Sequence, residues 1–302
     1  MKTKFIFALA AFLLMGSTCL KAQENNNSSI TYQEGDLNHD GEVDVADITY
    51  LVNLIMNKKK TDYSKQPFTI VPINSDITVY FSPYYHPKSG THDTYSISYS
   101  KDGGQTWDSY MGDWDMSVKV NSDEKLMIKL RDRGLGLFDS FSVVGGTFNV
   151  EGNIMSLITD GDFESATRIS SWVSSDLRGL FSGKTNLISA ENLVLPATDL
   201  AENCYANMFE GCTSITKAPI LPATTLVKGC YASMFAGCTS LKYVNCSAID
   251  ISAPDCTTDW LKDVSPTGTF VKTSSMDGWP TGASGIPSGW TVESVPLIPI
   301  PY

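Results

Sequence analysis

Leu195–Ile220, LPATDLAENCYANMFEGCTSITKAPI, is followed without a gap by Leu221–Cys246, LPATTLVKGCYASMFAGCTSLKYVNC. The period is 26 residues, and Pro196/Pro222, Cys204/Cys230, Met208/Met234, Phe209/Phe235 and Cys212/Cys238 all keep it. A fixed period of this size marks a solenoid, in which each unit buries its apolar face only against its neighbours. Two copies would be marginal alone, and worn copies lie on both sides. CTTDWL (Cys256–Leu261) reads as a degraded CYASMF, and DLRGLFSGKTNL (Asp176–Leu187) aligns with CYANMFEGCTSI after a two-residue insertion near Asn192. The expectation is about four coils with atypical ends.

Within a unit, Leu200, Cys204, Met208 and Cys212 recur every fourth residue, with Ala201, Tyr205 and Phe209 in the adjacent row. That spacing predicts the apolar face of a helix, stopped by Gly211 and Gly237. Ser214–Ile220 and Ser240–Cys246 then read as strands. Cys204, Cys230 and Cys256 share one slot of successive coils, where a small apolar side chain fits. They are expected to be buried thiols. With no CxxC pair and no neighbouring histidine, zinc has no ligand set.

These residues also carry a resemblance. CYASMFAGCTSL (Cys230–Leu241) with LPATTL (Leu221–Leu226) resembles the BspA-like leucine-rich repeats of bacterial surface proteins. GTFVK…GIPSGWTV (Gly268–Val292) resembles the end of such a protein, and SYSKDGGQTW…GNIMSLI (Ser98–Ile158) resembles the β domain ahead of its repeats. The resemblance implies a leucine-rich-repeat fold and surface binding or adhesion. It implies no particular ligand.

Met1–Ala22 opens with Lys2 and Lys4, then has an apolar run from Phe5 to Met15 and small residues, which is the pattern of a secretory signal peptide. Cleavage is expected after Ala22. A lipid anchor at Cys19 fits poorly, with Thr18 before it and Gly16 three before it. Losing Lys2, Lys4 and Lys21 moves the formal charge from −11 to −14. Such acidity argues against nucleic acid as a partner. No later apolar run is long enough for a transmembrane span.

The sharpest chemistry is DLNHDGEVDVAD, Asp36–Asp47. In a twelve-residue calcium loop that begins at Asp36, side-chain oxygens come from Asp36, Asn38, Asp40, Asp44 and Asp47, and a backbone carbonyl from Glu42. Gly41 supplies the sharp turn at position 6, and calcium is the expected cofactor. Ile48, Leu51, Val52, Leu54 and Ile55 then predict an amphipathic exit helix. Loop and helix together, GDLNHDGEVDVADITYLVNLI, resemble one half of a type I dockerin, which implies a cohesin-like module as a possible partner through Val45 and Ala46. Ordinary dockerins carry two such segments, and this chain has one.

From Phe68 to about Ile158 the periodicity is two. Tyr95–Ser100, Met116–Val120 and Leu126–Leu130 alternate, separated by turns at Asp102-Gly103-Gly104 and Asn121-Ser122-Asp123. A small antiparallel β-sandwich follows. SKDGGQTW (Ser100–Trp107) matches the Asp-box turn of sialidase-like propellers, but one box makes no propeller. It reads as a hairpin turn braced by Asp102, with Trp107 packed beneath. Tyr84, Tyr85, Trp107, Tyr110 and Trp114 are more rings than a small core needs, and aromatic faces suit sugars and interfaces.

Catalytic signals are sparse. His39, His86 and His92 are scattered, and Asp160, Asp162 and Glu164 form an acidic cluster in a glycine-containing loop. The expected fold class is α+β and multidomain: a short dockerin-like calcium loop-helix, an antiparallel β-sandwich, then a short leucine-rich-repeat solenoid. The expected order is signal peptide 1–22, tether 23–34, calcium segment 35–60, linker 61–66, β-sandwich 67–165, repeats with a carboxyl-terminal cap 166–292, and tail 293–302. Phe270, Trp279, Ile286 and Trp290 lack repeat spacing, so that cap is expected to be a lid. The expected function is a secreted or cell-surface, non-catalytic binding or adhesion protein for a host or bacterial surface protein or glycan. The alternative is an accessory subunit of a polysaccharide-degrading assembly, docked through the dockerin-like segment.

Overall fold

The structure, a computed structural model, describes residues 61–82, 85–86, 91–92, 95–131, 140–159, 161–171 and 177–296. Asp36, Asn38, Asp40, Glu42, Asp44 and Asp47, with the helix expected after them, lie outside the described residues. Asp62–Tyr302 packs as one compact unit.

Among the described residues ten strands precede the repeats: β1 (Phe68–Ile73), β2 (Ile77–Ser82), β3 (Tyr85–His86), β4 (Thr91–His92), β5 (Tyr95–Ser100), β6 (Asp108–Gly112), β7 (Met116–Val120), β8 (Leu126–Leu130), β9 (Ser140–Val144) and β10 (Thr147–Asn153). Four follow: β11 (Leu187–Val194), β12 (Tyr243–Cys246), β13 (Gly268–Thr273) and β14 (Trp290–Val295). A six-stranded sheet, ordered β11-β10-β1-β8-β5-β6, lies against the three-stranded β7-β2-β9. The alternation places Ile97, Ile128, Val79 and Val118 inside, and Phe68 of one sheet meets Phe141 of the other at 6.4 Å between ring centroids.

The large sheet is mixed, because β11 belongs to the first repeat and pairs in parallel with β10. Its register slips twice, from Phe148↔Leu187 to Asn149↔Ser189 to Glu151↔Asn192. Each slip takes up one extra residue of β11, which is where the two-residue insertion goes.

The expected α+β class is overturned. Among the described residues the only helical segments are two 3-10 turns, Tyr63–Lys65 and Ile154–Leu157; the rest is strand and turn. The repeat segments read as helices are ladders of consecutive turns. In the second coil, Cys204, Ala206, Met208, Glu210 and Cys212 donate N–H bonds back to Ala201, Asn203, Tyr205, Asn207 and Phe209. The residues between them, Asn203, Tyr205, Asn207, Phe209 and Gly211, donate instead to the next coil, at Lys228, Cys230, Ala232, Met234 and Ala236. Half of the amides thus close turns and half cement coils, which satisfies the backbone without a helix.

Such a ladder needs a left-handed residue every fourth position. Asn203, Asn207 and Gly211 have φ of 57, 59 and 70°; Gly229, Ser233 and Gly237 have 62, 51 and 73°; Asp255, Asp259 and Asp263 have 56, 53 and 56°. Glycine, asparagine and aspartate are the residues that tolerate this region.

The four-residue repeat also points Leu200, Cys204, Met208 and Cys212 inward together, and all are buried. Ring stacks run up the solenoid: Phe181–Phe209–Phe235 at 4.9 and 5.4 Å, and Tyr205–Tyr231–Trp260–Trp279 at 6.1, 6.2 and 5.3 Å. Cys204, Cys212, Cys230, Cys238, Cys246 and Cys256 are all buried free thiols. The carboxyl-terminal segment is not a lid. β13 and β14 continue the solenoid as parallel strands in register with β12, from Tyr243↔Thr269 to Thr273↔Val295.

Candidate functional site

The sandwich builds its most exposed aromatic feature around β5, β6 and the loop into β7. The β5–β6 turn comes first. Asp102 accepts from the Ser100 hydroxyl at 2.7 Å, the Thr106 hydroxyl at 2.6 Å and the Thr106 amide at 3.0 Å. These donors, the Thr106 hydroxyl above all, hold its carboxyl well below the usual carboxylate range. Trp107 Nε1–H donates to the Gly104 carbonyl at 3.0 Å, and Lys129 Nζ sits 4.0 Å from the indole centroid. The Asp-box is a brace that fixes where β6 starts, and both Asp102 carboxylate oxygens accept hydrogen bonds within it.

β6 leads into Gly112-Asp113-Trp114-Asp115, and there the Trp114 side chain stands 72% exposed. The loop's backbone is nevertheless fixed. The Tyr110 hydroxyl donates to the Trp114 carbonyl at 3.0 Å, and the Tyr95 hydroxyl shares its proton between the Phe81 and Trp114 carbonyls, 3.3 Å from each. Burial pushes the Tyr95 hydroxyl above its ordinary range, so it stays a donor. The two tyrosine rings pack at 5.1 Å. A Cβ at residue 112 would stand 2.6 Å from the Tyr110 hydroxyl, so a larger residue there would have to push that side chain aside.

Met111, 60% exposed, lies beside the loop on β6. From Trp107 to Ser117 the ionisable acids are Asp108, Asp113 and Asp115, all exposed, and no lysine or arginine interrupts them. This arrangement can hold an apolar or planar group on Trp114 and Met111 and attract positive charge beside it.

Of the rings singled out in the sequence, the structure brings Tyr110 and Trp114 together and gives Trp107 to the turn. Tyr84 and the side chain of Tyr85 lie outside the described residues. Tyr95 and Met111 were missed. The sequence marks this loop only through Trp114, set between Asp113 and Asp115 after Gly112, a composition for a presented ring rather than a core. Asp160 lies outside the described residues. Asp162 caps the Glu164 and Ser165 amides at 3.1 and 3.4 Å, so it serves a turn.

The repeat unit offers a second, flatter surface. Lys217 reaches Glu191 of the previous coil at 2.8 Å and lies 5.9 Å from the Tyr243 ring of the next. All three sit on the outward side of the stacked strands.

Among the described residues no helix is long and apolar enough to cross a membrane, and no three His, Cys, Asp or Glu side chains gather to hold a metal ion. No protein-family model, curated protein or solved structure matches the chain.

Proposed function

We propose that the chain is an exported, non-catalytic binding or adhesion protein, related to BspA-like repeat proteins, that recognises a surface protein or glycan. The observation that supports this most is Trp114. A large ring kept in water costs apolar burial of about 1.5–3 kcal/mol, and two tyrosine hydroxyls fix its backbone in place. Rigid presentation of an aromatic anchor lowers the ordering cost of capturing a ligand. The test is binding of the signal-free chain and its Trp114→Ala variant to a glycan array and to intact bacterial and epithelial cells. The reading expects at least one class of target, lost in the variant at unchanged melting temperature. Equal binding by both proteins sinks it.

The Asp36–Asp47 loop supports a second reading, an accessory subunit anchored by a calcium-dependent dockerin-like segment. Asp36, Asn38, Asp40, Asp44 and Asp47 would give side-chain oxygens and Glu42 its carbonyl. Calorimetry with calcium should give heat for the parent chain and none for Asp40→Ala. A pull-down with cohesin-bearing proteins should then depend on calcium.

A further inference from the structure

β6 is the last strand of the six-stranded sheet, and among the described strands β5 is its only partner. An open edge of this kind presents a row of backbone donors and acceptors to any chain that can extend alongside it. Edges are usually blunted by lysine, proline or a covering loop. β6 carries neither lysine nor proline within Asp108–Gly112, its Asp108, Ser109 and Met111 are exposed, and Met111 and the adjoining Trp114 stand out as apolar anchors.

Along β6 and the loop after it every charged residue is an acid, while the Lys129 ammonium lies over Trp107, just before the strand. Asp108 opens the strand, Asp113 and Asp115 flank Trp114, and all three are exposed. The hydroxyls of Tyr95 and Tyr110 hold the loop that carries two of these acids, so the charge stands at a set place relative to the strand. An edge, two apolar anchors and a fixed acidic row describe a receptor for an extended segment with alternating basic and apolar residues.

We infer that the ligand of this site is a basic, extended protein segment that adds to β6 as a further strand, with its apolar residues on Met111 and Trp114 and its cations facing Asp108, Asp113 and Asp115. The inference rests on the binding-protein reading above and narrows it from protein or glycan to protein. Main-chain pairing along five residues supplies affinity, and the acids choose the partner.

The experiment uses the signal-free full chain and a capped octapeptide of alternating lysine and valine. Controls are the same peptide N-methylated at every second amide and its glutamate–valine counterpart. Titration should show saturable binding of the lysine peptide, and amide exchange should slow on β6. Asp113→Lys with Asp115→Lys, and separately Met111→Lys, should each weaken binding by about tenfold or more. N-methylation and glutamate should abolish it. Binding indifferent to N-methylation would mean simple charge attraction and overturn strand addition. If the peptide does not bind while a glycan binds and is lost in Trp114→Ala, the site takes sugar; this inference then falls and the binding-protein reading stands. If neither binds, both fall.

Discussion

A left-handed backbone at every fourth outer position decides which substitutions the turn ladder accepts. Ser233 adopts φ of 51° between Gly229 and Gly237, and no side-chain bond holds it there. A non-glycine residue costs about 1–2 kcal/mol in this region. Ser233→Gly should therefore raise stability by up to about 1 kcal/mol once glycine's extra unfolded-state freedom is subtracted. Gly237→Ala should lower it by a similar amount, since its Cβ would meet Gly211 no closer than an ordinary contact of 3.6 Å. Urea unfolding of the pair checks both signs. The thiols give a second test. Burial pushes Cys204, Cys230 and Cys246 up to about 12 from 9.0, because a thiolate has no water there. In the unfolded chain these thiols ionise near 9.0, whereas the folded chain keeps their protons until about pH 12. Unfolding releases protons across that window, so stability falls as pH rises, by about 1.4 kcal/mol per pH unit for each such thiol. Cys246→Ala should make the alkaline slope shallower by one thiol's share. An unchanged slope would place the titration elsewhere.

At the scale of the element, the strand at the end of a coil matters as much as the turns. Trp260 is fully buried, stacks on Trp279 at 5.3 Å and donates its indole N–H to the Gly285 carbonyl at 2.9 Å. Deleting Gly268–Tyr302 removes Phe270, Trp279 and Trp290 and leaves that N–H without its acceptor. Each lost ring is worth about 2–3 kcal/mol, against the ~5–15 kcal/mol that holds a whole domain. The truncated chain should aggregate or melt many degrees lower, and an unchanged melting temperature would contradict the continued solenoid. The sandwich strands were legible in the sequence, since the alternations at Tyr95–Ser100, Met116–Val120 and Leu126–Leu130 are β5, β7 and β8, whereas Ser214–Ile220, read as a strand, contributes only the single bridge Lys217↔Tyr243. The turn ladder was not legible, because i and i+4 share a face both in a helix and in a four-residue turn repeat. A discriminating signal was present. In a helix, Leu200, Cys204, Met208 and Cys212 would drift by about 40° per step, so an unbroken stripe of four such residues is poorly helical. Asn203, Asn207 and Gly211, each three residues after an inward one, mark the left-handed positions. The site was half legible for a different reason. Trp114 draws attention by type, whereas the two hydroxyls that fix its carbonyl come from residues 95 and 110, and only the fold brings them together.

For the whole of Asp62–Tyr302, the question is whether sandwich and solenoid unfold as one. The parallel β10–β11 pair carries one sheet across both, and Phe181 closes the core beneath it. Its ring lies 5.9 Å from Phe68 and 5.9 Å from Phe141 on the sandwich side, and 4.9 Å from Phe209 on the solenoid side. The Trp114 loop and the repeat face around Lys217 thus belong to one continuously packed unit. Phe181→Ala opens a cavity at the centre of that joint and should cost about 3–5 kcal/mol. If the two halves are one cooperative unit, the loss is shared. Near-ultraviolet signals from Trp107 and Trp114 in the sandwich and from Trp260 and Trp279 in the solenoid should fall together at one lowered temperature. Calorimetry should then give a single peak whose van't Hoff and calorimetric enthalpies agree. Two separated transitions, with only one moved by Phe181→Ala, would show that the shared sheet joins two domains without coupling them.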